Sequence, residues 1–497
     1  MVLVIAIVCL YFLALLIIGF YAKKQLRVTA EDYFLASRTI GTFIMCLSVF
    51  ATLYSAFTFI ALPGLIYKTG VGFVAALPVS NVLFAPMMFL IGYKIWLAGK
   101  KFRFITPTEL FRHRFNSRAV SAVIFVAMVM FVLPYISIQP MGGGYVLSTL
   151  TGNVIPYKWG AAIITAIMAI YVFYGGFRGV AWVDAFQAIV MLVTAIGTLG
   201  YAVSAVGGFA TGSSKLMIEV PKFLSPEGPV GLWSWPNVLS WVVFITLNFM
   251  FQPQIFVRYY SAKSADTLRV TTALWPLLAT IILIFPIMAA MYGRILFPGL
   301  GAPDTLIPNL WMRYTPSWFC GLGVAAIMSA LMSTASGQIM VLSSMFTRDV
   351  YLSYLTRTAS DRKQAVIGRI AVLVIIVIGF LLSLKPPALL GLMAGAAFSG
   401  IAILAPAGIA AFYWRRATAP AVILSVICGE IPVVLTYFNV IPKSTWGKFD
   451  ASIPGLVLAT FLLIVVSLLT KAPPKEVVEE YFSKDMDIFG DIGKEEK

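Results

Sequence analysis

The chain has 497 residues, a net charge of +16, 60% hydrophobic residues and only 11% charged residues. Soluble proteins carry about 25% charged residues, so this composition excludes a soluble protein and predicts an all-α polytopic membrane protein. The single histidine, His113, argues against haem, zinc and di-iron enzymes, which depend on imidazole ligands. We therefore expect that the protein is not an enzyme and has neither an organic cofactor nor a nucleic acid partner.

Thirteen apolar segments are long enough to cross a bilayer. The first has no basic region before it and no cleavage site of small residues, so we interpret it as a membrane helix and not as a signal peptide. The segments are 2–22, 42–67, 71–98, 119–150, 157–174, 180–205, 237–260, 270–295, 317–346, 366–384, 388–413, 419–440 and 453–470.

The basic residues are distributed unevenly between the connections. If the N-terminus lies outside the cell, 27 of the 36 Lys and Arg residues lie at cytoplasmic connections, at their flanks or in the C-terminal tail, and nine lie outside. Cytoplasmic connections are typically rich in Lys and Arg. We therefore predict a multi-pass protein of the cell membrane, with its N-terminus outside, its C-terminus in the cytoplasm and its positive charge facing anionic lipid.

The second segment combines an apolar length with hydroxyl groups at membrane depth. We predict that its helix is broken between Ala51 and Ser55, because the freed carbonyls are tolerated in a membrane only beside a cavity or a bound ion. The alternative is an ordinary membrane helix whose hydroxyl groups bond to their own carbonyls. The residues behind this prediction are Ser48, Thr52, Ser55 and Thr58, followed by Leu62, Pro63 and Gly64.

The ninth segment offers oxygen ligands that match such a break. The Ala330 carbonyl and the hydroxyl groups of Ser333 and Thr334 share one helix face. With the carbonyls of Ala51 and Tyr54 they make five neutral oxygens, the ligand type that small hard cations prefer. The alternative is that these small side chains only allow close helix packing.

Asp184 is a carboxylate close to the start of the sixth segment. Carboxylates inside membrane segments are functional candidates by default. The alternative places Asp184 near the cytoplasmic interface, where it pairs with Arg178 or caps a helix. Glu430, in the twelfth segment, also lies in an apolar run, and we assign it no role.

The seventh segment contains a proline between two glutamines, Gln252-Pro253-Gln254, and this sequence predicts a second break. It lies five segments after the first. Two interrupted segments in corresponding halves indicate inverted repeats with a binding site near the middle of the membrane.

Six stretches of the sequence form a recognisable set. They are 32–38 (DYFLASR), 48–64 (ending in LPG), 106–115 (TPTELFRHRF), 175–187 (two glycines, then a spaced Val, Asp and Gln), 258–265 (RYYSAKSA) and 332–338 (MSTASGQ). Together they resemble the motifs of the sodium:solute symporter family, and the resemblance runs from about residue 2 to about residue 420.

This resemblance implies a leucine-transporter-like fold with two inverted five-helix repeats and sodium-coupled symport of a small organic solute by alternating access. The implied organisation is an N-terminal helix and loop (1–41), a ten-helix core (42–417), two more helices (418–472) and a cytoplasmic tail (473–497). We expect a monomer or a weak oligomer in the lipid bilayer.

The resemblance also assigns the family's usual sodium site to the five groups described above: the carbonyls of Ala51, Tyr54 and Ala330 and the hydroxyl groups of Ser333 and Thr334. Some members bind a second sodium through an aspartate and extra serines. Asp184, Ser333 and Ser336 match that pattern, but Gly337 stands where those members have another serine. A second cation at Asp184 and Ser336 is therefore in doubt.

The implied solute pocket has no basic residue, and we expect no Lys or Arg at the centre of any core segment. Helix N-termini and amides would then hold an anionic solute, and we favour a small carboxylate or an amino acid. A proton-coupled symporter and a membrane sensor with this fold but without transport are the alternatives. The predicted pocket residues are Leu53, Ser55, Thr58, Tyr135, Gln139, Gln252 and Gln254.

Overall fold

A computed structural model of the protein describes residues 2–27, 29–55, 57–356, 358–385, 390–483 and 486. The first half of the chain forms α1 (Val2–Lys24), α2 (Ala30–Leu35), α3 (Thr42–Leu53), α4 (Leu62–Thr69), α5 (Ala76–Met87), α6 (Tyr93–Phe102), α7 (Pro107–Arg114), α8 (Arg118–Leu150), α9 (Tyr157–Ala205) and α10 (Phe209–Glu219). The second half forms α11 (Trp235–Phe251), α12 (Pro253–Ser261), α13 (Ala265–Leu296), α14 (Leu306–Tyr314), α15 (Ser317–Met345), α16 (Asp361–Ser383), α17 (Leu390–Ala402), α18 (Ala405–Tyr413), α19 (Ala419–Tyr437), α20 (Ser452–Leu469) and α21 (Lys475–Tyr481).

The apolar helices correspond to the thirteen predicted segments. Within the described residues, ten helices are long and apolar enough to cross a membrane, or twelve if each of two bent pairs is one span. Helix α9 has 49 residues, and a straight helix of that length would measure about 73 Å, more than twice the hydrocarbon thickness. Gly176, at φ 54° and ψ −158°, interrupts α9, so this helix supplies two of the predicted spans. Residues 388–389 of the eleventh segment lie outside the described residues.

Helix α15 forms the centre of the protein. In its most apolar stretch 94% of the residues are buried, against 22% for α1, which therefore lies at the periphery. Helices α1, α3, α8, α9 and α16 all pack against α15. Its small residues allow this close packing, and its hydroxyl groups are consequently held inside the protein and not in lipid.

The first predicted break is present. Helix α3 ends at Leu53, and the following helical segment, Phe57–Thr69, is inclined to it by 53°. It begins with a π-helical turn, Phe57–Ala61. The second predicted break is also present, because α11 and α12 meet at Gln252 with a bend of 46°. Pro253 opens α12, where its missing N–H costs no helical hydrogen bond.

At one end of the bundle, the C-terminal helix α21 docks onto α7. The Tyr481 side chain is fully buried, and its ring stacks on that of Phe102 with 5.4 Å between the ring centroids. Arg114, also fully buried, donates from Nε to the Ala411 carbonyl at 2.8 Å, and its guanidinium lies 5.8 Å from the centre of the Tyr481 ring. Burial lowers the pKa of Arg114 to about 10, which still leaves the side chain charged at neutral pH.

Candidate functional site

The end of α3 contacts the middle of α15 through hydroxyl and carbonyl groups. Ser333 Oγ donates to the Ala51 carbonyl at 2.8 Å and lies 3.4 Å from the carbonyl of Ala330. One position further along both elements, Thr334 Oγ1 donates to the Thr52 carbonyl at 3.0 Å. All of these residues are buried. The break in α3 thus frees carbonyls that α15 meets with hydroxyl groups, away from lipid.

Four of the five predicted ligand residues, Ala51, Ala330, Ser333 and Thr334, meet at this contact. The fifth, Tyr54, follows the last residue of α3, and its phenol donates to Asn81 Oδ1 at 3.0 Å. Sequence reasoning missed the carbonyl of Thr52, although this residue lies inside the predicted break. Ser333 and Thr334 are neighbours in the chain, as are Ala51 and Thr52. This match could have identified the Thr52 carbonyl as the partner of Thr334.

A small cavity lies directly beyond this contact. Its volume is about 20 Å³, and the side chains that line it are mostly apolar. Two predicted pocket residues, Leu53 and Thr58, line it, and Asn81 supplies a polar group that the sequence analysis did not identify. The lining residues are Leu53, Tyr54, Phe57, Thr58, Leu62, Leu77, Asn81, Ile245, Phe249, Leu283 and Phe398.

The other five predicted pocket residues lie outside this lining. Ser55 and Tyr135 share a hydrogen bond of 2.7 Å between their hydroxyl groups, which ties the break in the first bent pair to α8. Gln139 Nε2 donates to the Tyr135 carbonyl at 3.3 Å. Gln254 donates to the side chain of Gln252, so the two amides at the second break engage each other. Their polar groups bond to one another or to nearby backbone.

Asp184 is fully buried, and its partner is Arg258 on α12, with 2.6 Å between Nη2 and Oδ2. Ser48 Oγ donates to the same carboxylate oxygen at 2.7 Å. The alternative pairing of Asp184 with Arg178 is wrong, because Arg178 binds Asp32 at 2.8 Å.

A basic side chain nevertheless lies inside the protein, because Arg258, near the end of the seventh segment, is fully buried. The second break directs α12 inward, and Asp184 supplies the counter-charge that a buried guanidinium requires. Ser336, predicted with Asp184, donates to the Ser333 carbonyl at 3.1 Å.

The model of the sodium:solute symporter family matches residues 33–429, which is most of the chain. The chain belongs to the sodium:solute symporter family. The function expected from the sequence, sodium-coupled symport of a small organic solute, is the one that this membership assigns. Sodium is accordingly a transported co-substrate.

Relatives in this family match over almost the whole chain. An osmoregulated proline transporter of Bacillus subtilis is 28% identical over 477 residues, which cover 94% of each chain. A sodium/pantothenate symporter of Haemophilus influenzae is 26% identical, covering 90% of this chain and 91% of its own.

A solved structure also matches the fold. The structure of a Na⁺-coupled sialic acid symporter superimposes with a TM-score of 0.80 at 18% identity, covering 95% of this chain and 98% of that one. The leucine-transporter-like fold expected from the sequence is confirmed by this match.

Proposed function

We propose that the transported sodium binds where the end of α3 meets α15. The observation that carries this proposal is the contact of the Ser333 and Thr334 hydroxyl groups with the Ala51 and Thr52 carbonyls, at 2.8 and 3.0 Å. Carbonyl and hydroxyl oxygens are hard, neutral ligands, and carbonyls freed by a helix break coordinate sodium in transporters of this architecture. The carbonyls of Ala330 and Tyr54 complete the proposed set.

Sodium and solute are coupled through one short stretch of backbone. Ala51 and Thr52 supply carbonyls to the proposed sodium site, and the next two residues, Leu53 and Tyr54, line the cavity. An ion that fixes these carbonyls also fixes the wall of the cavity. Sodium therefore raises solute affinity, and by reciprocity the solute raises sodium affinity.

The solute is a small carboxylate or an amino acid that enters the cavity beside Leu53. The cavity lining contains no charged side chain, and its polar groups include Asn81 and Thr58. A volume of about 20 Å³ is far below the size of an organic solute, so binding requires the two bent pairs to move apart. The relatives named for proline and pantothenate support this solute class, because both compounds carry a carboxylate.

The chain works in the cell membrane with its N-terminus outside and its C-terminus in the cytoplasm, as a monomer or a weak oligomer. The asymmetry of 27 against nine basic residues supports this orientation. Transport is the function of the core, residues 42–417. The core is supported by the flanking parts, which are 1–41, 418–472 and 473–497.

The sodium site is tested by replacing Ser333 and Thr334 together with alanine. We expect sodium affinity to fall roughly tenfold or more, since even partners outside the ligand shell contribute that much to metal affinity. The readout is the thermal stability of the purified protein titrated with sodium against potassium, because a bound ion stabilises the folded state by mass action.

The same helix offers a matched control. Ser343 and Ser344 are buried on α15, but their hydroxyl groups donate to carbonyls of their own helix, at 2.9 and 2.7 Å. Alanine at both positions likewise removes two buried hydroxyl groups from α15 and should leave sodium affinity unchanged. Equal sodium affinity in the two double variants and the parent protein would contradict the site.

The solute is identified by adding carboxylates, amino acids and sugars to the same assay. We expect one carboxylate or amino acid to raise the stability of the protein further, and only in the presence of sodium. A shift that depends on pH but not on sodium would favour proton coupling. Binding without uptake into vesicles would favour a sensor.

A further inference from the structure

A cavity of about 680 Å³ lies at the end of the bundle where α7 leads into α8. It shares no residue with the cavity beside Leu53. Its volume falls within the roughly 300–1,000 Å³ of sites that hold small ligands. Among the described residues of its lining, Glu109 is the one acidic residue. Four arginines line the cavity, and they are Arg103, Arg112, Arg118 and Arg348.

The carboxylates close to this cavity already have partners. Arg348 Nε donates to Glu109 Oε1 at 2.7 Å, so these two charges offset each other. The Asp349 carboxylate accepts hydrogen bonds from the hydroxyl groups of Thr106 and Thr108. The remaining arginines therefore determine the charge of the cavity.

Arg112 and Arg118 have no counter-charge of their own. Arg112 donates to Ser353 Oγ at 3.4 Å, and neither arginine forms an ion pair with a residue that the structure describes. Arg118 is the first residue of α8, and the free N–H groups at a helix N-terminus also favour an anion. Burial lowers the pKa of His113, so this residue adds no charge at neutral pH. The cavity is therefore positively charged and fits an anion.

A narrow groove of about 90 Å³ continues from the cavity along α8, and Arg112 and Arg118 line both. Ala122, Phe125 and Val126 share one face of α8 and form an apolar wall of the groove. The Val126 side chain is 60% exposed, so this face contacts lipid when α8 crosses a membrane. From Arg118 to Val126 the helix rises about 12 Å, close to the depth of one leaflet.

We propose that the cavity and the groove together bind one anionic phospholipid, with its phosphate between Arg112 and Arg118 and an acyl chain against Ala122 and Val126. A soluble phosphate would leave the apolar groove empty. A zwitterionic lipid would bring a second positive charge into an already positive cavity. Basic pockets between membrane helices on the cytoplasmic side are suited to anionic head groups, and the proposed orientation places this cavity on that side.

The bound phosphate has a mechanical consequence. It would join α7, through Arg112, to the start of α8, through Arg118. Since α8 packs against α15, the lipid stabilises the arrangement of the central helices. The lipid site is separate from the proposed sodium site, so stabilisation by lipid should persist when potassium replaces sodium.

The first experiment measures the thermal stability of the purified full-length protein in detergent, in potassium without sodium. Dioleoylphosphatidylglycerol and dioleoylphosphatidylcholine, which carry the same acyl chains, are titrated in parallel. We expect phosphatidylglycerol to raise the melting temperature and phosphatidylcholine to leave it unchanged, because a ligand of the folded state stabilises it by mass action. Equal shifts with the two lipids would overturn the proposal.

The second experiment combines Arg112→Gln with Arg118→Gln. Affinity for phosphatidylglycerol should fall roughly thirtyfold, because each basic side chain near an anionic lipid contributes about fivefold. The matched control combines Arg362→Gln with Lys363→Gln, two exposed basic residues in the first turn of α16 that line neither the cavity nor the groove. An equal affinity in the two double variants would overturn the site.

Ala122→Trp tests the groove without changing any charge. Its side chain should fill the groove and abolish the stabilisation by phosphatidylglycerol. Inorganic phosphate and glycerol 3-phosphate, which have no acyl chain, should not stabilise the parent protein. Stabilisation of the parent protein by inorganic phosphate, or of Ala122→Trp by phosphatidylglycerol as in the parent, would overturn the assignment to a lipid. This variant also decides the question if the arginine variant does not fold.

Discussion

At the scale of single residues, Glu430 is a buried carboxyl group that the proposed mechanism does not use. It lies on α19, and both of its side-chain oxygens are buried without a hydrogen-bond partner among the described residues. The neighbouring Gly429 packs against Gly455 and Ala459 of α20. A polar group buried without a hydrogen bond lowers the free energy of unfolding.

Replacing Glu430 with methionine should stabilise the protein. The variant removes a buried polar group whose desolvation costs about 1–3 kcal/mol, and it keeps a side chain of similar size. Thermal unfolding in detergent and solute uptake in vesicles are the measurements. A folded variant that has lost uptake would instead assign the carboxyl group a part in transport.

The residue scale also marks the limit of sequence reasoning. Ser333 and Thr334 were predicted because their spacing on a helix is fixed and their hydroxyl groups match carbonyls freed at a break. Arg258 was not predicted as a core residue, because whether a side chain after a break faces the interior depends on the bend angle. Its partner, Asp184, was identified, but the pairing joins residues 74 positions apart and leaves no local signal.

At the scale of elements, the two breaks were predictable because their causes are local. Pro253 cannot donate a hydrogen bond inside a helix, and hydroxyl groups close to Ala51 offer the backbone other partners. The boundary inside α9 has an equally local cause. Gly176 there has a positive φ of 54°, and its backbone lies against the Tyr33 carbonyl.

Gly176→Ala should destabilise the protein by about 1–3 kcal/mol, because a side chain at this φ is strained and its Cβ would lie 2.9 Å from the Tyr33 carbonyl oxygen. The matched control is Gly200→Ala in the same helix, where nothing lies within 4 Å of a Cβ. That variant should be neutral or stabilising by up to about 1 kcal/mol. Thermal unfolding in detergent compares the two, and equal melting temperatures would contradict the account of the kink.

At the scale of the whole molecule, connections predicted to share a side of the membrane contact each other. On the side predicted to be cytoplasmic, Arg112 bonds to Ser353 at 3.4 Å. On the other side, the Tyr67 hydroxyl donates to the Phe297 carbonyl at 2.6 Å. The sequence predicts this pairing of connections because it depends only on the order of the spans. The packing of α15 at the centre could not be predicted in that way, because it depends on all its neighbours together.

The orientation itself is tested with cysteines placed at exposed positions on the two sides, Lys158→Cys and Lys100→Cys. In intact cells, a membrane-impermeant maleimide should label the first variant and not the second, and permeabilised cells should show labelling of both. The parent chain, with its own four cysteines, measures the background. The opposite labelling pattern would invert the proposed topology.

The docking of α21 has a consequence for biosynthesis. Arg114 and Phe102 are made early, but the side chain that covers them belongs to Tyr481, near the end of the chain. Since a chain emerges from the ribosome N-terminal end first, this surface stays open until Tyr481 has been translated. A chain that stops before Tyr481 therefore leaves the Arg114 guanidinium and the Phe102 ring without this cover, and the exposed surface distinguishes it from a chain that has reached Tyr481.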